Sequence, residues 1–187
     1  MLLYSGMLEQ LYVIQRKVNI DMKEITMPKP IKTNAMRQLD AAKIAYEPKC
    51  YEPDENDLSG VHIAEQIGLP CERTFKTLVT KGDKTGPLVF CLPAHREIDL
   101  RLAASVTGNK KLEMVQVKDL LALTGYIRGG CSPIGMKKKF PTYFHISARD
   151  HESITVSAGC KGIQLLLNVD ELLRFTEAQT VEFCLPE

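Results

Sequence analysis

Two short stretches of this 187-residue chain hold residue types that could do chemistry. One is "TFKTLV", which puts Lys76 inside an apolar strand pattern. The other is "GGCSPIG", followed at once by Lys137, Lys138 and Lys139. Strand alternation sets Lys76, Leu78 and Thr80 on one face and Phe75, Thr77 and Val79 on the other. Lysines are rarely buried, so the residues alone favour a solvent-facing Lys76; an ammonium aimed at a ligand is the alternative. In the loop, Gly129, Gly130 and Gly135 permit a tight turn with several N–H groups converging on one space. Such a nest binds an anion or a developing oxyanion. A plain tight connection reads equally well, and neither a dinucleotide nor a Walker pattern is present. The three lysines are either a solvated charge run or phosphate contacts beside the loop. Cys131, with His145 or His151 close in sequence, could form a thiol–imidazole pair. Its flanks match no cysteine-hydrolase signature. His62 and His95 read as ordinary surface or half-buried residues.

The composition bounds these readings. Lys and Arg number 24 against 23 acids, for a net charge of +1. That balance argues against a protein that coats nucleic acid unspecifically, but it allows a local basic patch. The six cysteines show no C-x-x-C pair and no zinc-ligand spacing, so neither a metal site nor a cofactor is indicated. No secretory leader is legible, and the thiols read as small apolar residues in a reducing cytoplasm. No apolar run is long enough to span a bilayer, so no membrane role is expected.

The elements that must position these residues follow from caps and periodicity. Residues 1–27 carry apolar residues at roughly helical spacing without a clear cap, and read as an N-terminal extension. A domain is expected over 28–187. Thr33 or Asn34 caps an amphipathic helix with a stripe of Met36, Leu39, Ala42, Ile44 and Ala45. "YEPKCYE" is extended and ends near Tyr51. Ser59 caps a helix that buries Val61, Ile63, Ala64 and Ile67, and Gly68 stops it. Two β-branched and aromatic runs flank "KGDKTG" as a hairpin. Asp99 caps "LRLAASVTG", "KLEMVQ" is a short strand, and Gly125 ends the helix "VKDLLALTG". "TYFHIS" and "SITVSAG" are strands, and "CKG" turns into "IQLLLN". Asn168 or Asp170 caps "ELLRFTE", and "TVEFCLP" closes the chain as a strand. This irregular alternation predicts an α/β (α+β) fold with a mixed sheet, not a doubly wound parallel one.

Taken together, "TFKTLVT", "GYIRGGCSPIGMKKKFPT" and "ITVSAGCKG" resemble the YbaK/EbsC family, also called the prolyl-tRNA-synthetase-associated editing domain family. The resemblance runs from about Thr33 to the C-terminus and is closer to the free-standing YbaK branch, the cysteinyl-tRNA(Pro) deacylases. It implies a barrel-like mixed sheet surrounded by helices, with a cleft for the aminoacylated 3′ end of tRNA. It further implies a cytoplasmic trans-editing hydrolase, with prolyl-tRNA synthetase as a partner to test. Lys76 falls on the family's essential lysine and Thr77 on the threonine after it. Gly129, Gly130, Cys131, Ser132 and Pro133 fall on the family loop, with Cys131 at a variable position. Ser157 falls on the serine of the S-x-G hairpin, and Tyr51 on a pocket tyrosine. Ser59 stands where some relatives carry an aromatic, which bears on amino-acid selectivity.

The mechanism so implied is substrate-assisted. The cysteinyl thiol attacks its own carbonyl, and a thiolactone leaves. Backbone N–H groups from Gly129 to Ser132 would hold the carbonyl oxygen, and Lys76 would offset developing charge. Thr77, Ser157 and Tyr51 would position the amino acid and ribose, while Lys137, Lys138 and Lys139 meet tRNA phosphates. The alternatives are a deacylase for alanine or serine, a non-catalytic tRNA-binding module of the same fold, and a Cys131 hydrolase.

Overall fold

Short-range capping sets most helix boundaries in the computed structural model, which describes residues 32–54, 57 and 59–186. The extension over 1–27 and its helical spacing lie outside the described residues. Thr33 accepts from the Met36 amide and starts α1 (Asn34–Ala41). Ser59 does the same for His62 at α2 (Gly60–Ile67), which Gly68 ends at φ 68°. Asp99 caps α3 (Leu100–Val106) through the Arg101 and Leu102 amides. Gly125, at φ 86°, stops α4 (Val117–Thr124). Of the two residues expected to cap α5 (Val169–Thr176), Asn168 does so, accepting from Glu171. Two expected apolar stripes are narrower than predicted. α1 ends at Ala41, leaving Ala42 and Ala45 exposed, and Val61 lies on the outer side of α2.

The strands form two sheets. β1 (Tyr46–Cys50), β7 (Ile163–Asn168) and β6 (Ser153–Ser157) make an antiparallel sheet in the order β1-β7-β6. β2 (Phe75–Gly82) and β3 (Gly86–Pro93) are the expected hairpin. Around them lie β4 (Leu112–Met114), β5 (Thr142–His145) and β8 (Gln179–Val181), in the order β4-β2-β3-β5-β8. The β3–β5 and β5–β8 pairings are parallel and the others antiparallel, so this sheet is mixed as predicted. Among the described residues the sheets are joined by a Thr74–Thr155 bridge rather than closed into one barrel. The closing strand is shorter than its sequence pattern: only Gln179–Val181 pairs, and Cys184 then bridges to Ile98.

One core lies under α1 and α5, where Leu39, Phe75, Phe144, Ile154, Leu165 and Leu172 are buried. The other lies under α3, where Phe90 meets Phe183 edge to face at 4.9 Å. β2 belongs to both. Thr74, the residue just before β2, meets β6 at the bridge, so β2 delivers Lys76 to the junction of the sheets.

Candidate active site

Lys76 is half-buried in a cleft of 660 Å³ at that junction. Burial pushes its pKa below the ordinary lysine value, and the Glu97 carboxylate opposes this. Its Nζ donates to the Ala94 carbonyl at 2.9 Å. An ammonium has three donors, so this bond orients the side chain and leaves donors for a ligand. Thr77, Gly129, Cys131 and Ser157 line the same cleft. Chain segments some 50 and 80 residues beyond Lys76 thus converge on it.

The glycine loop begins as a tight turn. Gly130 N–H donates to Ile127 O at 3.0 Å, and Gly129 sits at φ 83° in the third position, the value of a type II turn. The turn takes up the Gly130 amide, which corrects one expected oxyanion donor. The Gly129 and Cys131 amides have no protein acceptor among the described residues, and both residues line the cleft. Ser132 is fully buried, outside the lining, and its Oγ accepts from the Ile134 amide at 3.2 Å. Ser157 Oγ accepts from Gly159 N–H at 3.2 Å, so it shapes its own hairpin as well as the cleft wall.

Other expected residues stand apart. Tyr51 is half-buried where its amide meets Gly162 O, outside the cleft lining. Pro133, Lys138 and Lys139 border a separate hollow of 230 Å³. Lys137 Nζ donates to Leu121 O at 3.2 Å, and its chain covers Gly125, so it closes the C-terminus of α4. Lys139 pairs with Glu177. The lysine run is therefore partly engaged in holding the fold.

The thiol–imidazole pair does not assemble. Burial pushes the Cys131 thiol up to about 12, and no histidine lines the cleft. His145 instead meets Ser147 Oγ through Nδ1 and Glu182 through Nε2. Glu182 in turn accepts from the Cys184 amide at 3.0 Å. Among the described residues, His145, Glu182 and Cys184 are the one group of such side chains close enough to share an ion. The His145–Glu182 contact and the Glu182–Cys184 amide bond already account for their placement.

Residues 59–175 match the aminoacyl-tRNA editing domain. The chain belongs to that family. Every cleft-lining residue except Asp57 falls inside the matched span of the editing domain. An Enterococcus faecalis relative, named "Putative Cys-tRNA(Pro)/Cys-tRNA(Cys) deacylase EbsC", is 48% identical over 83% of this chain and 95% of its own. An uncharacterised Bacillus subtilis protein, YwhH, is 24% identical over 60% of this chain and 71% of its own. The editing-domain fold also matches a solved structure described as a putative trans-editing enzyme for prolyl tRNA synthetase. That match has a TM-score of 0.71 at 20% identity, covering 82% of this chain and 96% of the other.

Three residues of the editing domain escaped the sequence reading. Tyr126 is buried, donates to Ile134 O at 2.5 Å, and lies against Gly159, so it ties the glycine loop to the S-A-G hairpin. Burial pushes its hydroxyl up to about 12, which keeps it a donor. Gln164 lines the cleft opposite Ser157 in the β6–β7 register, and its buried Oε1 has no hydrogen-bond partner among the described residues. Arg128 reaches the cleft from the loop itself. Tyr126 and Arg128 lie inside the quoted loop stretch, which by itself assigns them no role, and Gln164 lies just past the S-A-G hairpin motif.

Proposed function

We propose that this protein is an aminoacyl-tRNA deacylase that clears cysteine from mischarged tRNA(Pro), acting in trans. The observation that carries the reading is that the half-buried Lys76 lines one cleft together with Gly129 and Cys131 of the glycine loop. The Enterococcus relative supports the choice of substrate. An aminoacyl ester is already activated, so a site for its cleavage needs orientation and charge stabilisation more than a strong enzyme nucleophile.

The substrate thiol supplies the nucleophile. Its sulfur forms a bond to the ester carbonyl carbon, and the bond from that carbon to the ribose oxygen breaks. The thiol proton ends on the ribose oxygen, giving free tRNA and a cysteine thiolactone that water then opens. The Gly129 and Cys131 amides receive the carbonyl oxygen as negative charge develops, and Lys76 offsets that charge. Thr77 and Ser157 bound the aminoacyl pocket. Serine and alanine offer no thiol, so the chemistry itself discriminates where pocket size would not. Lys138 offers charge to the RNA from outside the cleft, and prolyl-tRNA synthetase is the partner that would deliver it.

The test is hydrolysis of cysteinyl-tRNA(Pro) by the purified protein beside alanyl- and seryl-tRNA. The reading predicts cysteine release faster than for the other two by well over about two hundredfold, more than binding one small side chain would supply. Faster release of alanine or serine supports the sibling deacylase. Binding of charged tRNA with no hydrolysis at any enzyme concentration supports a binding module.

A further inference from the structure

Arg128 occupies the outer corner of the turn that Gly130 N–H closes onto Ile127 O. Its side chain is exposed and borders the 660 Å³ cleft beside Gly129. Among the described residues it has no hydrogen bond, ion pair or ring contact. The neighbouring cations differ: Lys137 closes α4 and Lys139 holds Glu177. Nothing among the described residues accounts for a free guanidinium on the cleft wall. The surface next to it is unusual as well. Met114 and Val117 line the same cleft while 43% and 59% exposed; Leu121, one turn on from Val117 in α4, and Ile127, next to Arg128 in the chain, are 52% and 49% exposed. Four of the eight large apolar side chains exposed among the described residues thus lie on the cleft wall, on α4 or on the turn that carries Arg128.

A cation beside an exposed apolar strip matches the two faces of a nucleotide: the guanidinium fork fits a phosphate bidentately, and the strip fits a base. Gly129, adjoining Arg128, faces the position given above to the ester carbonyl. Outward from that ester come the terminal ribose and then its 5′ phosphate. We propose that Arg128 binds the last phosphodiester of the RNA acceptor end, holding the terminal base against Met114 and Val117. This rests on the editing reading, which supplies the RNA end. It moves the phosphate contact nearest the ester from the lysine run to the loop itself.

The experiment is a double-mutant cycle in binding. An uncharged acceptor-stem hairpin ending in CCA is prepared with an ordinary last phosphodiester and with a neutral methylphosphonate there. Fluorescence anisotropy reads its affinity for the wild-type protein, Arg128→Ala and Arg128→Lys. Losing one charge-assisted contact should weaken the ordinary RNA roughly ten- to a hundredfold. The salt slope should fall by about 0.7, one single-strand phosphate's share. The methylphosphonate should weaken wild-type binding to a similar degree and Arg128→Ala binding no further, with Arg128→Lys between. Additive losses, no loss from Arg128→Ala, or no binding of the hairpin by the wild type each overturn the proposal. If the cycle holds but the protein hydrolyses no aminoacyl ester, the subsite stands and the deacylase reading fails.

Discussion

Gly130 packs directly on the backbone of Cys160: a Cβ built on Gly130 would lie 3.1 Å from the Cys160 carbonyl carbon and 3.2 Å from its Cα. The loop that presents Gly129 to the cleft therefore rests on the turn between β6 and β7. Gly130 has no positive φ, so a side chain is excluded by its neighbour and not by its own conformation. Gly130→Ala requires a shift of a few tenths of an ångström. Gly130→Val requires more, and it must displace backbone on one side or the other. Single-turnover deacylation should fall by on the order of a hundredfold or more in Gly130→Val, as expected when an oxyanion donor is misplaced. Gly130→Ala should fall between it and wild type. A full single-turnover rate in a folded Gly130→Val variant would remove the loop from the mechanism.

Lys76→Ala should abolish deacylation at a modest structural penalty. The lost bond leaves the Ala94 carbonyl without that donor in a buried setting, so the expected destabilisation is about 1 kcal/mol. Urea unfolding measures it, and aminoacyl-tRNA hydrolysis measures the activity. Near wild-type turnover would reject the assignment of Lys76. The pH dependence has a definite sign. The pKa of Lys76 is lowered in the folded state, so the unfolded chain binds this proton more tightly, and stability rises with pH between the lowered value and 10.5. Activity that needs the ammonium should fall in that same interval, and the alkaline stability gain should be absent from Lys76→Ala.

What the sequence made legible is what local chemistry decides. Thr33, Ser59, Asp99, Gly68 and Gly125 mark helix ends because a cap acts within a turn of its own residue. The β2–β3 hairpin was legible for the same reason. Lys76 was not: strand alternation gives its face, but burial comes from Ala94 and the sheet junction, so only the family resemblance raised it above an ordinary surface lysine. Tyr126 and the Gly130–Cys160 contact were invisible, since each joins segments distant in the chain. The partners of Lys137 and Lys139, Leu121 O and Glu177, lie on other elements and so were not legible in the run itself.

Cys131→Ala should keep most activity. A thiol pushed up to about 12 is almost wholly protonated at neutral pH and is a poor nucleophile. Wild-type protein treated with iodoacetamide at pH 7.5 should accordingly show little modification at Cys131 by mass spectrometry, with exposed Cys50 modified first. A loss of several orders of magnitude in a folded Cys131→Ala variant would instead favour an enzyme nucleophile.

Tyr126→Phe isolates the support from the chemistry. The hydroxyl donates to Ile134 O, and Ile134 is almost fully buried, so removing it leaves a sealed carbonyl without that donor. That desolvation penalty is about 1–3 kcal/mol. The ring itself stays, so its packing against Gly159 survives and no cavity opens. Both the loop and the S-A-G hairpin lean on Tyr126, so their alignment should loosen without either segment unfolding. The variant should therefore melt several degrees lower and hydrolyse cysteinyl-tRNA more slowly at saturation. Its affinity for uncharged RNA should fall far less than in Arg128→Ala, since the Arg128 and Lys138 side chains are kept. Thermal melts, single-turnover rates and anisotropy on one preparation separate these effects. If the rate at saturation is unchanged while the melting temperature falls, Tyr126 stabilises the fold and does not align the site.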